Sequence, residues 1–477
     1  MKNQNRWTVF VRFLAVLTGS LLLAGCTGTS DAPDPFDPPA VTPTPAPSDW
    51  LSFEAGEPPA EVESVHPELF PGIRITLPEE QGEGNIAALP DGGCLAVSQT
   101  PVGPGDAADP VFQARAIRYR PDGSAAWDRA LDMEEYRGYL TGFCSFPDGS
   151  FAVGIRFQYS GTAYYDPVDR LYRFDAEAGL LWRSEDRTGS GESLTAAGSM
   201  EKLFAMPDGA TVAAGTVTEG EVNRISLLRF GPDGTLENRL LLGKTSYSYL
   251  MDADYHSAAG LVLVWRENAD TTPGANPTRD RLWCGDGSLA ERWSATSPAG
   301  EPLAEVQALD DGSVLAMGFH QDGGSSRSAL FRYDSGGGRM WAWQTSGDSV
   351  WIGCAARLTD GRLAAASYRN SEDGGMVSSV TILTEDGDPA AEIPDLPGRA
   401  DRIWAESDGG FTLVCRRDVR TIPQPPYISS IWTDTEAIVA RYAADGTIRW
   451  RRTVDLYKYS RRADTLLPGP DGALFVG

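Results

Sequence analysis

The groups that could do chemistry in this 477-residue chain are few. Three histidines, His66, His256 and His320, are the whole supply of side chains that titrate near neutrality, and none stands in a Ser-His-Asp or zinc-ligand pattern. Of six cysteines, Cys26 follows Leu23-Ala24-Gly25, while Cys94, Cys144, Cys284, Cys354 and Cys415 lie in apolar, strand-like runs with no CxxC pair. These five read as small buried hydrophobes with room for one adventitious disulfide, and not as a metal cluster. Carboxylates are abundant, and a glycosidase needs only two well placed, but no spacing singles out a pair. The acidic stretches Gln321-Asp322-Gly323-Gly324 and Asp106 to Asp109 leave calcium as the one cofactor to consider, although neither matches an EF-hand loop. No catalytic residue and no metal ligand is assigned.

Recognition residues are easier to find. Tyr159, Tyr164 and Tyr165 fall in a polar stretch at 158–169, and Tyr427 and Trp432 in a stretch at 417–437 that also holds Pro423, Pro425 and Pro426. Further irregular stretches cover 98–112 and 266–280. Aromatic side chains on loops stack on sugars or anchor a protein partner, and the same side chains also fold back on a rim.

Behind these loops stands a repeat. An Asp-Gly turn followed by an apolar run occurs at Asp91-Gly92, Asp148-Gly149, Asp208-Gly209, Asp311-Gly312, Asp360-Gly361, Asp408-Gly409 and Asp471-Gly472, with a degraded copy at Ala259-Gly260. About 25 to 30 residues after each comes an Arg-aromatic segment, another Gly turn and often a tryptophan, as in Arg118-Tyr119 to Trp127, Arg173-Phe174 to Trp182, and Arg332-Tyr333 to Trp341. Glycine accepts positive φ and aspartate bonds its local backbone, so each such site predicts a hairpin. Two hairpins per unit of roughly 50 to 60 residues make four short strands, and units that cannot bury their own faces must stack. The expectation is an all-β fold, a β-propeller of four-stranded antiparallel blades. Eight blades are favoured with the last incomplete, seven being the alternative. Small residues in the second strands suit crowding near a central channel, and the fourth-strand tryptophans should pack between blades.

These units resemble the PQQ-like and WD40-like repeats of bacterial surface propellers over residues 84–477. No Trp-Asp dipeptide recurs at repeat ends, Trp127-Asp128 apart, so the resemblance to strict WD40 repeats is loose. Quinoprotein dehydrogenases share the repeat class, but their adjacent cysteine pair is missing. Sialidase Asp-boxes place their residues at a different spacing, and Ile73-Arg74-Ile75 lacks the proline of the sialidase motif. The resemblance therefore implies a fold and no particular chemistry.

The first residues carry an address. Lys2, Arg6 and Arg12 precede an apolar run too short for a stable transmembrane anchor, and Leu23-Ala24-Gly25-Cys26 resembles the lipobox of bacterial lipoproteins, which implies lipidation of Cys26. Thr27 after that cysteine implies an outer-membrane destination in a Gram-negative host; a cell-surface lipoprotein fits equally. The expected organisation is a signal peptide at 1–25, a Pro/Thr-rich tether at 26–49, an N-terminal segment at 50–83 whose Ile73 to Leu77 stretch is a candidate ring-closing strand, and the propeller at 84–477. Net charge is −25, and the signal removes three of the 41 cations and none of the 66 acids, bringing the balance to about −28. Such a surface repels nucleic acid and excludes it as a partner.

The expected function is a lipid-anchored extracytoplasmic binding or scaffolding module for a surface protein or glycan, held to the membrane by its N-terminal lipid. One variant resembles the outer-membrane assembly lipoprotein whose eight-bladed propeller presents loops to a membrane protein. A glycan-active enzyme, glycosidase or lyase, on the same scaffold is the alternative.

Overall fold

The computed structural model describes the chain except for residues 1–54, 57–71, 74–84, 102–111, 123, 134–137, 158–167, 185–199, 220–221, 244–247, 269–277, 323, 372–373, 423–431, 456–465, 469–473 and 477. The chain divides into a leading unit, Met1–Pro47, which lies wholly outside the described residues, and a second unit, Ser48–Gly477.

Seven four-stranded antiparallel sheets follow one another at 85–130, 138–183, 202–242, 248–296, 303–344, 350–397 and 399–455, here called blades 1 to 7. In every blade the strands pair in chain order, so each is two hairpins joined edge to edge. A further two-stranded hairpin, Leu466–Pro468 with Leu474–Val476, begins an eighth position, and its first strand lies against the first strand of blade 1. The seven complete blades and the partial eighth agree with the repeat count. The Asp471-Gly472 turn lies outside the described residues. Of the Ile73 to Leu77 stretch, Ile73 lies in the two-residue strand Gly72–Ile73, which pairs with Ala55–Gly56, and Arg74 to Leu77 lie outside the described residues.

The turns form as their sequences dictate. Gly92, Gly149, Gly209, Gly312, Gly361 and Gly409 all have φ between 84° and 91°, and the preceding aspartate accepts a backbone N–H two residues on, as Asp91 does from Gly93 at 3.1 Å. Gly260, without the aspartate, holds the same kind of turn at φ 95°.

Close approach falls on the first strands and also on second-strand glycines, where a Cβ at Gly318 would stand 2.1 Å from the Pro302 carbonyl oxygen and one at Gly154 2.9 Å from the Thr141 hydroxyl. First strands of adjacent blades pack on each other, and a Cβ at Gly142 would stand 2.8 Å from the Leu203 side chain, one at Gly353 2.3 Å from the Ala400 carbonyl oxygen. The small residues of the second strands, such as Ala213, Ala364 and Ala365, are fully buried one layer further out, where blade faces meet. Burial at about 25 cal/mol per Å² of apolar surface makes these blade interfaces the main source of cohesion. All five cysteines in the blades are buried free thiols, so the allowance for a disulfide is not used.

Several loops are shorter than their sequences suggest, because cross-strand ion pairs extend the ladders. Arg156 pairs with Asp169, Arg266 with Asp280 and Arg417 with Glu436, all across second and third strands of one blade. The strands of blade 1 likewise run to Pro101 and resume at Phe112.

Candidate binding surface

The two hairpin turns of each blade, between strands one and two and between strands three and four, lie on one face. Strand-two to strand-three loops and the connections between blades lie on the other, here called the loop face.

The turn face is tied together by two recurring contacts. The first joins the Asp-Gly turn to the arginine of strand three: Arg118 meets Asp91 at 2.8 Å, Arg229 meets Asp208 at 2.5 Å, Arg332 meets Asp311 at 2.5 Å and Arg441 meets Asp408 at 3.3 Å. The Arg118 hydrogen bond holds the Asp91 carboxyl below its usual range. Blade 4 lacks the turn aspartate and also lacks the arginine, which is Cys284; there Arg292 from strand four donates to the carbonyls of Ala258 and Ala259 instead.

The second contact joins consecutive blades. The strand-four tryptophan of one blade lies over the positive-φ residue in the strand-three to strand-four turn of the next. Trp182 covers Gly234, Trp293 covers Gly337 and Trp341 covers Gly387, with ring atoms 2.6–3.0 Å from where a Cβ would stand. The indole N–H of Trp182 donates to the Pro232 carbonyl at 2.7 Å and that of Trp341 to the Glu385 carbonyl at 2.8 Å. Over blade 2 the turn carries Ala178 (φ 63°), and the Trp127 bond to the Ala176 carbonyl is longer, 3.2 Å. Over blade 4 the turn carries Leu289 (φ 69°), and the tryptophan position is Asn238, which donates to the Ser288 carbonyl at 2.8 Å. Blade 6 has Ala391 at the tryptophan position, and Ile393 covers Gly446. Side-chain size on the two partners is thus exchanged reciprocally.

On the loop face, strands two and three reach into the next blade. The Asp169 carboxylate accepts from Arg156 at 2.8 Å and from the Met200 N–H at 2.6 Å; Asp280 accepts from Arg266 at 2.7 Å and from the Leu303 N–H at 2.6 Å. Gln99 and Thr216 accept from the N–H groups of Leu140 and Leu250 in the same way. Inside, Asp252 and Asp254 accept from the N–H groups of Val306 and Ala308 on the first strand of blade 5. Burial pushes the Asp254 carboxyl above its usual range.

One element stands out from the loop face. In blade 7 the second strand, Phe411–Ile422, and the third, Trp432–Tyr442, stay paired out to Ile422 opposite Trp432. In blades 3 and 5 the corresponding strands are nine residues long. With one residue taken up by a bulge between Asp418 and Arg420, two additional pairs carry the blade 7 arm about 7 Å further, at roughly 3.3 Å per residue.

A groove of about 590 Å³ opens between the end of strand four of blade 3, at Leu242 and Gly243, and blade 4. Blade 4 lines it from three strands with Trp265, Glu267, Arg279, Arg281, Trp283, Glu291, Ser294 and Thr296. Glu267 accepts from Arg281 at 2.7 Å and from the Trp265 indole at 3.4 Å, and Glu291 accepts from the Trp283 indole at 3.1 Å and from Ser294 at 2.9 Å. Arg281 also donates to the Thr296 hydroxyl. The sequence carried a signal for this surface: with a strand period of two, Trp265-x-Glu267 and Arg279-x-Arg281-x-Trp283 must share one face. A second hollow, of about 360 Å³, lies on the turn face beside Arg118, Trp127 and Glu177.

Of the residues singled out from sequence, Cys26, Tyr159, Tyr164, Tyr165 and Tyr427 lie outside the described residues. Trp432 opens the third strand of blade 7. His256 accepts the Ala258 N–H at 3.3 Å and His320 lies 3.3 Å from Glu301, while His66 is outside the described residues. Gln321 and Asp322 end the second strand of blade 5, paired with Ser326 and Ser325. Among the described residues no three His, Cys, Asp or Glu side chains converge as a metal site, and no helix is long and apolar enough to cross a membrane.

A family profile described as "Domain of unknown function (DUF5122) beta-propeller" matches residues 207–239. No curated protein sequence matches the chain. Among solved structures, the chain is similar to a puromycin hydrolase, with 16% identity, TM-score 0.44, and 83% of this chain aligned with 58% of that one. It thus spans under two thirds of that protein's length. It is also similar to the β-propeller domain of the Trilobed protease from Pyrococcus furiosus, at 10% identity and TM-score 0.39, over 75% of this chain and 95% of that one. A third similar structure is the polysaccharide lyase Uly1, at 9% identity and TM-score 0.42, over 80% and 92%. The seven four-stranded sheets and the matched profile together make this chain a β-propeller protein.

Proposed function

We propose that this protein is a lipid-anchored extracytoplasmic β-propeller that binds a surface protein or glycan through its loop face, with the blade 7 arm as a principal contact. The supporting observation is the inequality of the two faces. On the turn face, short hairpins are closed by Asp–Arg pairs and by side chains reaching from the preceding blade, so its polar groups are largely engaged in holding the fold. The loop face carries the blade 7 arm, whose strands stay paired out to Ile422 opposite Trp432, and recognition residues concentrate on such loops held by a rigid scaffold. Lipidation at Cys26 and the Pro/Thr-rich tether would hold that scaffold off a membrane.

The test is to shorten the arm without touching the blades. Replacing residues 421–433 by Asn-Gly joins Arg420 to Asp434, which already face each other, through a two-residue hairpin turn. The shortened protein should unfold at the parent's urea midpoint, yet its retention on bacterial cells should fall at least tenfold, with Trp432→Ala giving a smaller loss. Protease treatment of the cells removes a protein receptor and periodate a glycan, which separates the two partner classes. Undiminished retention by the shortened protein would refute the arm assignment. In parallel, Cys26→Ser should move the chain from the membrane fraction to the soluble one.

A further inference from the structure

We infer that the groove between blades 3 and 4 is a second binding site, distinct from the blade 7 arm, and that it takes a neutral, hydroxyl-rich ligand of the oligosaccharide class. The groove belongs to blade 4 in particular. At the cross-strand position where blade 3 pairs Gly215 with Ser226 and blade 5 pairs Gly318 with Ala329, blade 4 pairs Trp265 with Arg281. Blades 1 and 2 also carry an arginine here, Arg115 and Arg170, but opposite Ser98 and Ile155; blade 4 sets a tryptophan opposite its arginine.

Charge decides the ligand class. The chain as a whole carries −25, yet the groove sets the guanidinium groups of Arg279 and Arg281 against the carboxylates of Glu267 and Glu291 and is balanced. Glu267 is already engaged by Arg281, and Glu291 by the Trp283 indole and the Ser294 hydroxyl, so neither sign of charge is left dominant. An anionic ligand would face the carboxylates of Glu267 and Glu291, and a cationic ligand both guanidinium groups. The groove instead offers interspersed donors and acceptors: the exposed Arg279, the Asn268 amide, the Thr296 hydroxyl and the remaining carboxylate lone pairs. These stand beside the half-buried side chain of Leu242, the apolar surface that blade 3 contributes. Sugar hydroxyls both donate and accept, and sugar C–H faces need apolar surface. The volume, about 590 Å³, falls within the range usual for small-ligand sites. The carboxylates serve here as acceptors, and no bond-breaking step is assigned to them.

The experiment is calorimetric titration of the full chain with neutral hexasaccharides, α- and β-linked glucose and N-acetylglucosamine, and with hexagalacturonate as the acidic comparison. At least one neutral hexasaccharide should bind, and more tightly than the acidic one. The double variant Arg279→Ala/Asn268→Ala, at positions outside the core, should weaken that binding tenfold or more with an unchanged urea midpoint, while Trp432→Ala leaves it unaffected. Thr296→Val should weaken it by a smaller factor. Failure of every neutral hexasaccharide to bind, preference for hexagalacturonate, or binding indifferent to the double variant would each overturn the inference. Binding lost in Trp432→Ala but kept in the double variant would place the sugar on the arm, overturning the groove and leaving the proposed function intact.

Discussion

If the reciprocal contacts between blades are what register one sheet on the next, the pair found between blades 3 and 4 should transplant into the junction between blades 5 and 6. There Trp341 covers Gly387, whose φ is 85°, and a Cβ on that glycine would stand 2.6 Å from the nearest ring atom. Gly387→Leu places a side chain at positive φ, about 1 kcal/mol, and drives it into the indole, a further ~2 kcal/mol of overpacking. Its cost alone is therefore about 3 kcal/mol. Trp341→Asn loses a half-buried indole but keeps a donor to the same turn, at the Asp386 carbonyl that corresponds to Ser288 for Asn238, and should cost about 2 kcal/mol. The double variant recreates Asn238 with Leu289 and should cost about 3 kcal/mol, not the sum of about 5. Urea unfolding with fitted m-values measures all four proteins. A double variant whose cost equals the sum within about 0.5 kcal/mol would show independent sites and refute reciprocal packing.

Two further outcomes follow from groups that burial perturbs. Because burial raises the Asp254 carboxyl, its charge opposes folding above the ordinary carboxylate range, and that opposition fades as pH falls towards 3.8 and the native state takes up the proton. Asp254→Asn keeps an oxygen to accept the Ala308 N–H, so its urea midpoint at pH 7 should equal or exceed the parent's and converge with it near pH 4. A lower midpoint at pH 7 would mean that the charge itself is needed. Asp91, lowered by Arg118, works in the other direction: its contribution is present above about 3.8 and is lost as pH falls through its depressed value. Burial pushes the thiols of Cys94, Cys144 and Cys415 up to about 12 and that of Cys284 up to about 11, and raises Cys354 as well. Iodoacetamide at pH 8 followed by peptide mass mapping should find all five unmodified in the native protein and all five modified in denaturant; rapid native labelling of any one would contradict its burial.

The sequence was most informative where local chemistry acts alone. Asp91-Gly92 and its counterparts announce hairpins because a positive-φ glycine and an aspartate that bonds two residues ahead are sufficient to make the turn. The strand-four tryptophans were legible as packing residues, since a large aromatic at a repeat position has to be covered. The two ends of the stretch at 417–437, residues 417–422 and 432–437, pair as strands where the sequence alone suggests a loop, because that pairing depends on contacts such as Arg417 with Glu436, nineteen residues apart. The groove went unremarked for a related reason. Trp265, Arg281 and Thr296 come from three strands and meet only through their register.

By itself, then, the amino-acid order determined the hairpins, the four-strand unit and the number of times it recurs, because turn geometry and strand alternation are set by residues within a few positions of one another. Tertiary structure alone decided which strand is innermost, which arginine meets which turn aspartate, how Trp341 and Gly387 or Asn238 and Leu289 divide one space between them, and where blade 4 opens a groove. Those outcomes depend on side chains that approach only after whole blades have stacked.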